Sequence, residues 1–305
     1  GMEIADLTGI GNFTKLTALD CSDNQLTTLD LSDAAMLAKL DCSGNGTLES
    51  LTLPEPMQLG GISMPGSMLT VLDCSDCALS SLSLDNCIVL GELNCSGNQL
   101  TELDTRYCQG LKELNCADNR LDTLSLIWEK SLVILDCSGN LLKSLRLTGN
   151  PALETLNCSG NQLTALSVSS NTALTGLNCA KNQITQLDLF KNTSLASLDC
   201  SGNQLTTLSV TKNPALTVLN CAENQLTALD ITGLSLTSLD ASGNSRTIVP
   251  QPERAGAYTY DLTQLPELDT SRVTGWENAE VKDTDPDTLH IAAGKSQVQY
   301  GYQLD

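Results

Sequence analysis

Histidine is almost missing from this chain: 305 residues contain one, His290. That alone weighs against multi-histidine metal sites and most histidine-dependent catalysis. Aromatic residues make up only 3%. Basic residues are outnumbered, 16 lysines and arginines against 36 acidic groups, for a net charge of −20. A surface of that sign repels a phosphate backbone, so nucleic acid is not an expected partner. No run of apolar residues approaches the roughly 18 needed to cross a bilayer, so membrane insertion is not expected either. What the chain does have is aliphatic content. Hydrophobic residues reach 41%, mostly leucine, alanine and valine, enough for a core and against intrinsic disorder.

Those leucines recur. Units open at Leu16, Leu37, Leu69, Leu90, Leu111, Leu132, Leu153, Leu174, Leu195, Leu216 and Leu236, spaced by 21 residues except for one step of 32 and a last step of 20. With isolated departures they follow L-x-x-L-[DN]-C-[SA]-x-N-x-L-x-x-L-x-[LV], as in Leu195-Ala-Ser-Leu-Asp-Cys-Ser-Gly-Asn-Gln-Leu-Thr-Thr-Leu-Ser-Val210. Repetition at a fixed period is the mark of a solenoid. Positions four and six of the unit point the same way along a short strand, and three, five and seven face solvent. Leucines at one, eleven, fourteen and sixteen then converge on the same interior. One unit buries about six apolar side chains at roughly 1.5–3 kcal/mol each. Ordering its backbone costs about 1–2 kcal/mol per residue. A lone coil cannot fold, so the coils must stack.

Two residue types mark the interior. Asparagine holds position nine in nearly every unit, including Asn98, Asn119, Asn140, Asn161, Asn182, Asn203 and Asn224. An inward carboxamide can satisfy both N–H and C=O groups where the chain turns, so a structural ladder is expected. Ten of the 13 cysteines, Cys21, Cys42, Cys74, Cys95, Cys116, Cys137, Cys158, Cys179, Cys200 and Cys221, hold position six. That is an inward site between leucines, where a thiol packs as a small hydrophobe. Parallel side chains on neighbouring strands do not suit disulfide geometry. The lone C-x-x-C, Cys74 to Cys77, has no second pair to complete a zinc site. Cys77 takes the place of a position-nine asparagine, while Cys87 and Cys108 share position nineteen of adjacent coils, packed and free or bridged.

The 21-residue repeat with cysteine at position six resembles bacterial leucine-rich repeat proteins of the internalin group, over about residues 7–246. The resemblance implies a leucine-rich repeat solenoid, a right-handed curved superhelix with a parallel β-sheet on the concave face and short strands or irregular chain on the convex side. It further implies a secreted or cell-surface bacterial protein that binds a protein or glycoprotein. The segment Leu265-Pro-Glu-Leu-Asp269 departs from the group's wall-sorting motif by lacking its Thr-Gly. Residues 1–15 read as a truncated N-terminal cap or partial repeat, with Gly1 a remnant of an added segment and a signal peptide expected to have been removed. Residues 16–246 form about 11 coils with an insertion near 54–68, whose prolines and glycines mark a loop with exposed methionines. Residues 247–305 carry alternating, β-branched runs and read as a β-rich C-terminal cap, immunoglobulin-like as the alternative. His290 falls in one such run.

Candidate binding residues lie where the pattern varies. On the concave face, position three carries Glu92, Glu113 and Ile134, among others. Position five is an unbroken Asp/Asn column; calcium could relieve its carboxylates, but interspersed amides serve as well, and no metal or other cofactor is expected. On the convex side Arg106, Tyr107 and Trp128 form a group beside Ile127 that suits either a ligand or local packing. No acid, base or nucleophile departs from the repeat to form a cleft, so no catalytic residues are assigned and the chain is not expected to be an enzyme. The expectation is a noncatalytic, monomeric protein-binding module of an exported bacterial surface protein, serving adhesion or recognition of a host or neighbour. Carbohydrate or mucin binding through Tyr107 and Trp128 is the alternative.

Overall fold

The computed structural model of the chain describes residues 3–56 and 66–248, two short strands at Gln58–Leu59 and Ile62–Ser63, and five strands between 258 and 302. Side chains are described over 3–56 and 66–244.

The leucine at position four sits at the centre of a three-residue strand in every unit, because its neighbours must face opposite ways. Eleven such strands, from Ala18–Asp20 to Ser238–Asp240, form one parallel sheet in chain order. The register repeats the unit without slippage: Leu156 faces Leu177 and Leu177 faces Leu198. The rest of each coil is turn and extended chain. The only helical element among the described residues is a 3-10 turn at Ile10–Asn12. Leucines at positions one, four, eleven, fourteen and sixteen are buried together with the cysteines in one continuous core.

The second coil differs from the simple reading. Its strand Ser50–Thr52 pairs with Thr28–Asp30, matching Leu29 to Leu51. That register places an extra residue directly after Asn45, so the longer spacing is split between Gly46 and the segment after Leu53. The insertion is also more than a loop, since Gln58–Leu59 and Ile62–Ser63 pair antiparallel. Met68 is 45% exposed; Met57 and Met64 lie outside the described residues.

Position nine performs the bonding expected of it. Asn203 donates from Nδ2 to the carbonyls of Cys179, Cys200 and Ser201 at 3.0–3.2 Å. Its predecessor's oxygen, Oδ1 of Asn182, accepts the Leu163 N–H at 2.9 Å. Each carboxamide therefore ties one coil to the one before it. Where Cys77 replaces asparagine, its thiol reaches the carbonyls of Cys42 and Ser75 at 3.4 Å but has no carbonyl oxygen to offer in return.

Position eight follows a steric rule. The backbone there is left-handed in every coil, with φ between 52° and 67°. Glycine and non-glycine share the position: Asp23, Asp76, Asp118, Lys181 and Glu223 are each followed one coil later by glycine. The reason is spatial. A Cβ added to Gly139 would collide with the Asp118 carboxylate, and one on Gly202 would press on Lys181 at 3.3 Å. A side chain at this turn leans over the next coil and needs that coil to carry none.

All thirteen cysteines are free and buried, so the thiol column is an element of the core. Burial pushes Cys95, Cys158 and Cys221 up to about 12 and Cys21 to about 11. Burial likewise holds Cys116, Cys137 and Cys179 well above the ordinary thiol value.

Beyond Asn244 the chain forms two three-stranded antiparallel sheets. One orders Ser245–Ile248, Val298–Tyr302 and Val273–Glu277; the other orders Tyr258–Asp261, Asp285–Ile291 and Ala279–Lys282. His290 lies in register with Thr259 and Glu280. At the end of the tenth coil Leu229, Ile231 and Leu234 are only partly buried, as is Leu236 of the last coil, where Leu239 is 37% exposed.

Two outcomes follow from these contacts. Gly139→Ala should cost about 1–3 kcal/mol through the left-handed backbone and the clash, and adding Asp118→Gly should recover part of it; urea unfolding of the single and double variants measures both. The thiols set an alkaline limit. A thiol with a raised native pKa keeps its proton in the fold after the unfolded chain has lost it. Its stabilisation is whole below about pH 8.5 and declines as pH climbs toward the native value, by about 1.4 kcal/mol per pH unit per thiol. The urea midpoint should therefore be level from pH 6 to 8 and fall steeply above 9; a flat profile to pH 10.5 contradicts the buried column.

Candidate functional site

The concave sheet presents positions three and five. At the third to sixth coils a groove of about 400 Å³ is lined by Val71, Glu92, Glu113 and Ile134 together with the position-five residues Asp73 to Asp136. Glu92 faces Glu113 directly in the parallel register, side by side on strands that lie about 4.8 Å apart. Neither is in a salt bridge; the one ion pair among the described residues joins Arg106 and Asp104. Like charges so placed repel. Ile134, 39% exposed, and Val71, half-buried, close the two ends of the acidic pair.

The position-five column has a local purpose that the sequence reading did not find. In each coil its side-chain oxygen accepts the N–H of position seven two residues on, as Asp199 does from Ser201 at 3.0 Å and Asn178 from Ala180 at 3.1 Å. Where that residue is serine, the hydroxyl donates to the same oxygen at 2.6–2.8 Å. This turn carries the chain off the strand. Amides also bridge carboxylates between coils: Asn94 donates to Asp73, Asn157 to Asp136 and Asn220 to Asp199, at 2.9–3.1 Å.

The convex side holds the second group. Arg106 pairs with Asp104 at 2.7 Å and lies 6.0 Å from the Tyr107 ring centroid. Tyr107, Ile127 and Trp128 are 45%, 50% and 54% exposed. The structure thus brings Arg106, Tyr107 and Trp128 together and sets them apart from Glu92, Glu113 and Ile134, so the candidate residues form two surfaces. Beside the aromatic group runs a groove of about 380 Å³ lined by Glu102, Asp104, Arg106, Thr123, Ile127 and Trp128 among others.

Beneath this patch two residues break the repeat. Thr105 replaces the leucine or valine of position sixteen, and Glu129 stands at position nineteen of the next coil. Both are buried. The Glu129 carboxylate accepts from the Thr105 hydroxyl at 2.6 Å and from the Trp128 N–H at 3.0 Å. Position nineteen then becomes a second asparagine ladder: Asn150 donates to the Glu129 and Leu126 carbonyls, and Asn171, Asn192 and Asn213 repeat the pattern. Their Oδ1 atoms have no protein donor, so this ladder ties coils less fully than position nine. Above it in the chain, Cys108 is raised to about 12, first by burial and then by Cys87 and Glu129. Cys87 and Cys108 are unbridged. The signal for Thr105 and Glu129 was present in the sequence as paired departures, but nothing local showed that residues 24 apart would meet.

Sheet, coil and ladder together define a leucine-rich repeat protein. No protein-family model matches the chain, and no curated protein matches it. Solved structures do. The functional domain of InlJ from Listeria monocytogenes, which includes a cysteine ladder, is 35% identical over 79% of this chain and 52% of that one, with a TM-score of 0.71. YopM from Yersinia enterocolitica is 27% identical over 78% of this chain and 53% of that one, at 0.58. The internalin InlF of Listeria monocytogenes, 23% identical over 78% and 77%, agrees in fold at 0.60. Within the leucine-rich repeat class this chain therefore resembles the internalin group, in the form that carries a cysteine ladder, and it spans about half the length of the InlJ and YopM chains. No helix among the described residues is long and apolar enough to cross a membrane.

Glu129→Ala should destabilise the coil by about 1–3 kcal/mol, since the Thr105 hydroxyl and the Trp128 N–H lose their acceptor. The double change Thr105→Leu with Glu129→Asn, which restores the repeat, should match or exceed the parent in urea unfolding. A double variant as weak as the single one would show that the pair does more than satisfy itself.

Proposed function

We propose that this chain is a noncatalytic recognition module that binds a protein partner through the concave groove at its third to sixth coils. The observation that carries this reading is the pair Glu92 and Glu113, aligned, uncompensated and flanked by Val71 and Ile134 on a rigid sheet. Solenoids use such extended faces for binding, and a preformed surface keeps the ordering cost of association low. A partner offering a lysine or arginine between aliphatic side chains relieves the repulsion and covers the apolar ends, and the overall charge of −20 steers cationic surfaces toward it.

The likeness to InlJ supports a setting outside a bacterial cell, in adhesion or in recognition of host or neighbouring cells, with the chain acting as a monomer. In this reading residues 247–305 cover the partly exposed last coil, or continue as an immunoglobulin-like module.

Binding to immobilised host-cell surface and mucin fractions is the test, with the charge-reversed Glu92→Lys, Glu113→Lys variant beside the parent. We expect saturable binding at 150 mM salt and a loss of at least tenfold in the variant with its melting curve intact. Silence across the fractions counts against protein recognition; equal binding by both proteins removes the concave groove from it.

A further inference from the structure

We propose that the convex groove between the fourth and fifth coils is a binding site for a neutral carbohydrate, with Trp128 as its stacking platform. The proposal goes beyond the concave protein-binding reading and stands if that reading falls.

The size of the feature decides against a protein surface. The groove spans two coils, about 10 Å of solenoid at about 4.8 Å per coil, whereas a stable protein interface covers about 800 Å² on each partner. Its volume, about 380 Å³, is in the range of small-ligand sites, roughly 300–1,000 Å³. Its lining is mixed in the way a sugar ring is mixed. The indole of Trp128 and the side chain of Ile127, both at least half exposed, offer an apolar plane for the C–H face of a pyranose. Glu102 and Asp104 accept from hydroxyls, and Arg106 and Thr123 donate to them.

Charge selects among sugars. Arg106 is already neutralised by Asp104 at 2.7 Å, so it does not recruit anions. Glu102 and the net charge of −20 act against sialylated or sulfated chains. Neutral hexoses and N-acetylhexosamines remain.

The frame beneath is fitted to the patch. Thr105 and Glu129 break the repeat in the same two coils that carry the groove. The buried Glu129 carboxylate fixes the main chain at Trp128 by accepting its N–H at 3.0 Å. An aromatic platform held by its own backbone loses little freedom on binding.

The chain has two tryptophans, so Trp276→Phe leaves Trp128 as the sole reporter. Titrating that protein with chitotriose, N-acetyllactosamine and mannotriose, alongside sialyllactose, should give a saturable shift in emission for at least one neutral sugar and a weaker response to the charged one. Calorimetry with the responding sugar should show at least a tenfold loss in Trp128→Ala, substantial retention in Trp128→Phe, and no change in Glu92→Lys, Glu113→Lys. The proposal is overturned if no neutral sugar shifts the emission, if sialyllactose binds more tightly than the neutral sugars, or if Trp128→Ala keeps its affinity. It is equally overturned if Trp128→Ala abolishes capture of a cell-surface protein while sugars leave the emission unmoved, since the patch is then a protein contact.

Discussion

A single 21-residue coil has more backbone to order than apolar surface to bury, and every other feature of this protein answers that shortfall. Stacking supplies the missing burial, so each coil must present its neighbour with the same interior at the same height. The leucines do this by packing. The asparagines at position nine do it by hydrogen bonding, because the turn off the sheet leaves main-chain groups facing inward, where they cost most if unmatched. The carboxamide is the right group for that place: its NH2 reaches three carbonyls and its oxygen takes an N–H from the coil before.

The same constraint explains the cysteines and the glycines. A column one residue wide, repeated at strand spacing, needs a side chain smaller than leucine that still repels water, and a protonated thiol meets both conditions. Desolvation keeps it protonated, which makes the column inert and also ties the fold to pH below the thiol range. At position eight the tight turn forces a left-handed backbone, and close stacking leaves room for a side chain only where the following coil has none. Both are rules about adjacent coils, not about single residues.

Function occupies what stacking leaves free. On the sheet face, position three is unconstrained by the core, and there the acidic pair Glu92 and Glu113 accumulates charge that the fold does not neutralise. Position five looks equally available, yet its Asp and Asn side chains are committed to the turn that follows. The convex side is polar and irregular, and the two coils that depart from the rule at positions sixteen and nineteen are also the two that expose Tyr107, Ile127 and Trp128.

Periodicity, read from the amino-acid order alone, determined the solenoid, the inward column of thiols and the asparagine ladder, because each is imposed by a spacing of 21 that any stacking of identical coils must respect. Alternation, which is local, marked four of the strands after Asn244 but not Ser245–Ile248 or Ala279–Lys282. Only the tertiary structure decided the rest. It moved one inserted residue to Gly46, joined Thr105 to Glu129 across 24 residues, and showed position five turned back on its own chain. It also separated the candidate residues into a concave and a convex surface. These depend on which side chains come to lie beside each other after the chain has wound once round, and that distance is set by the coil and not by the sequence neighbourhood.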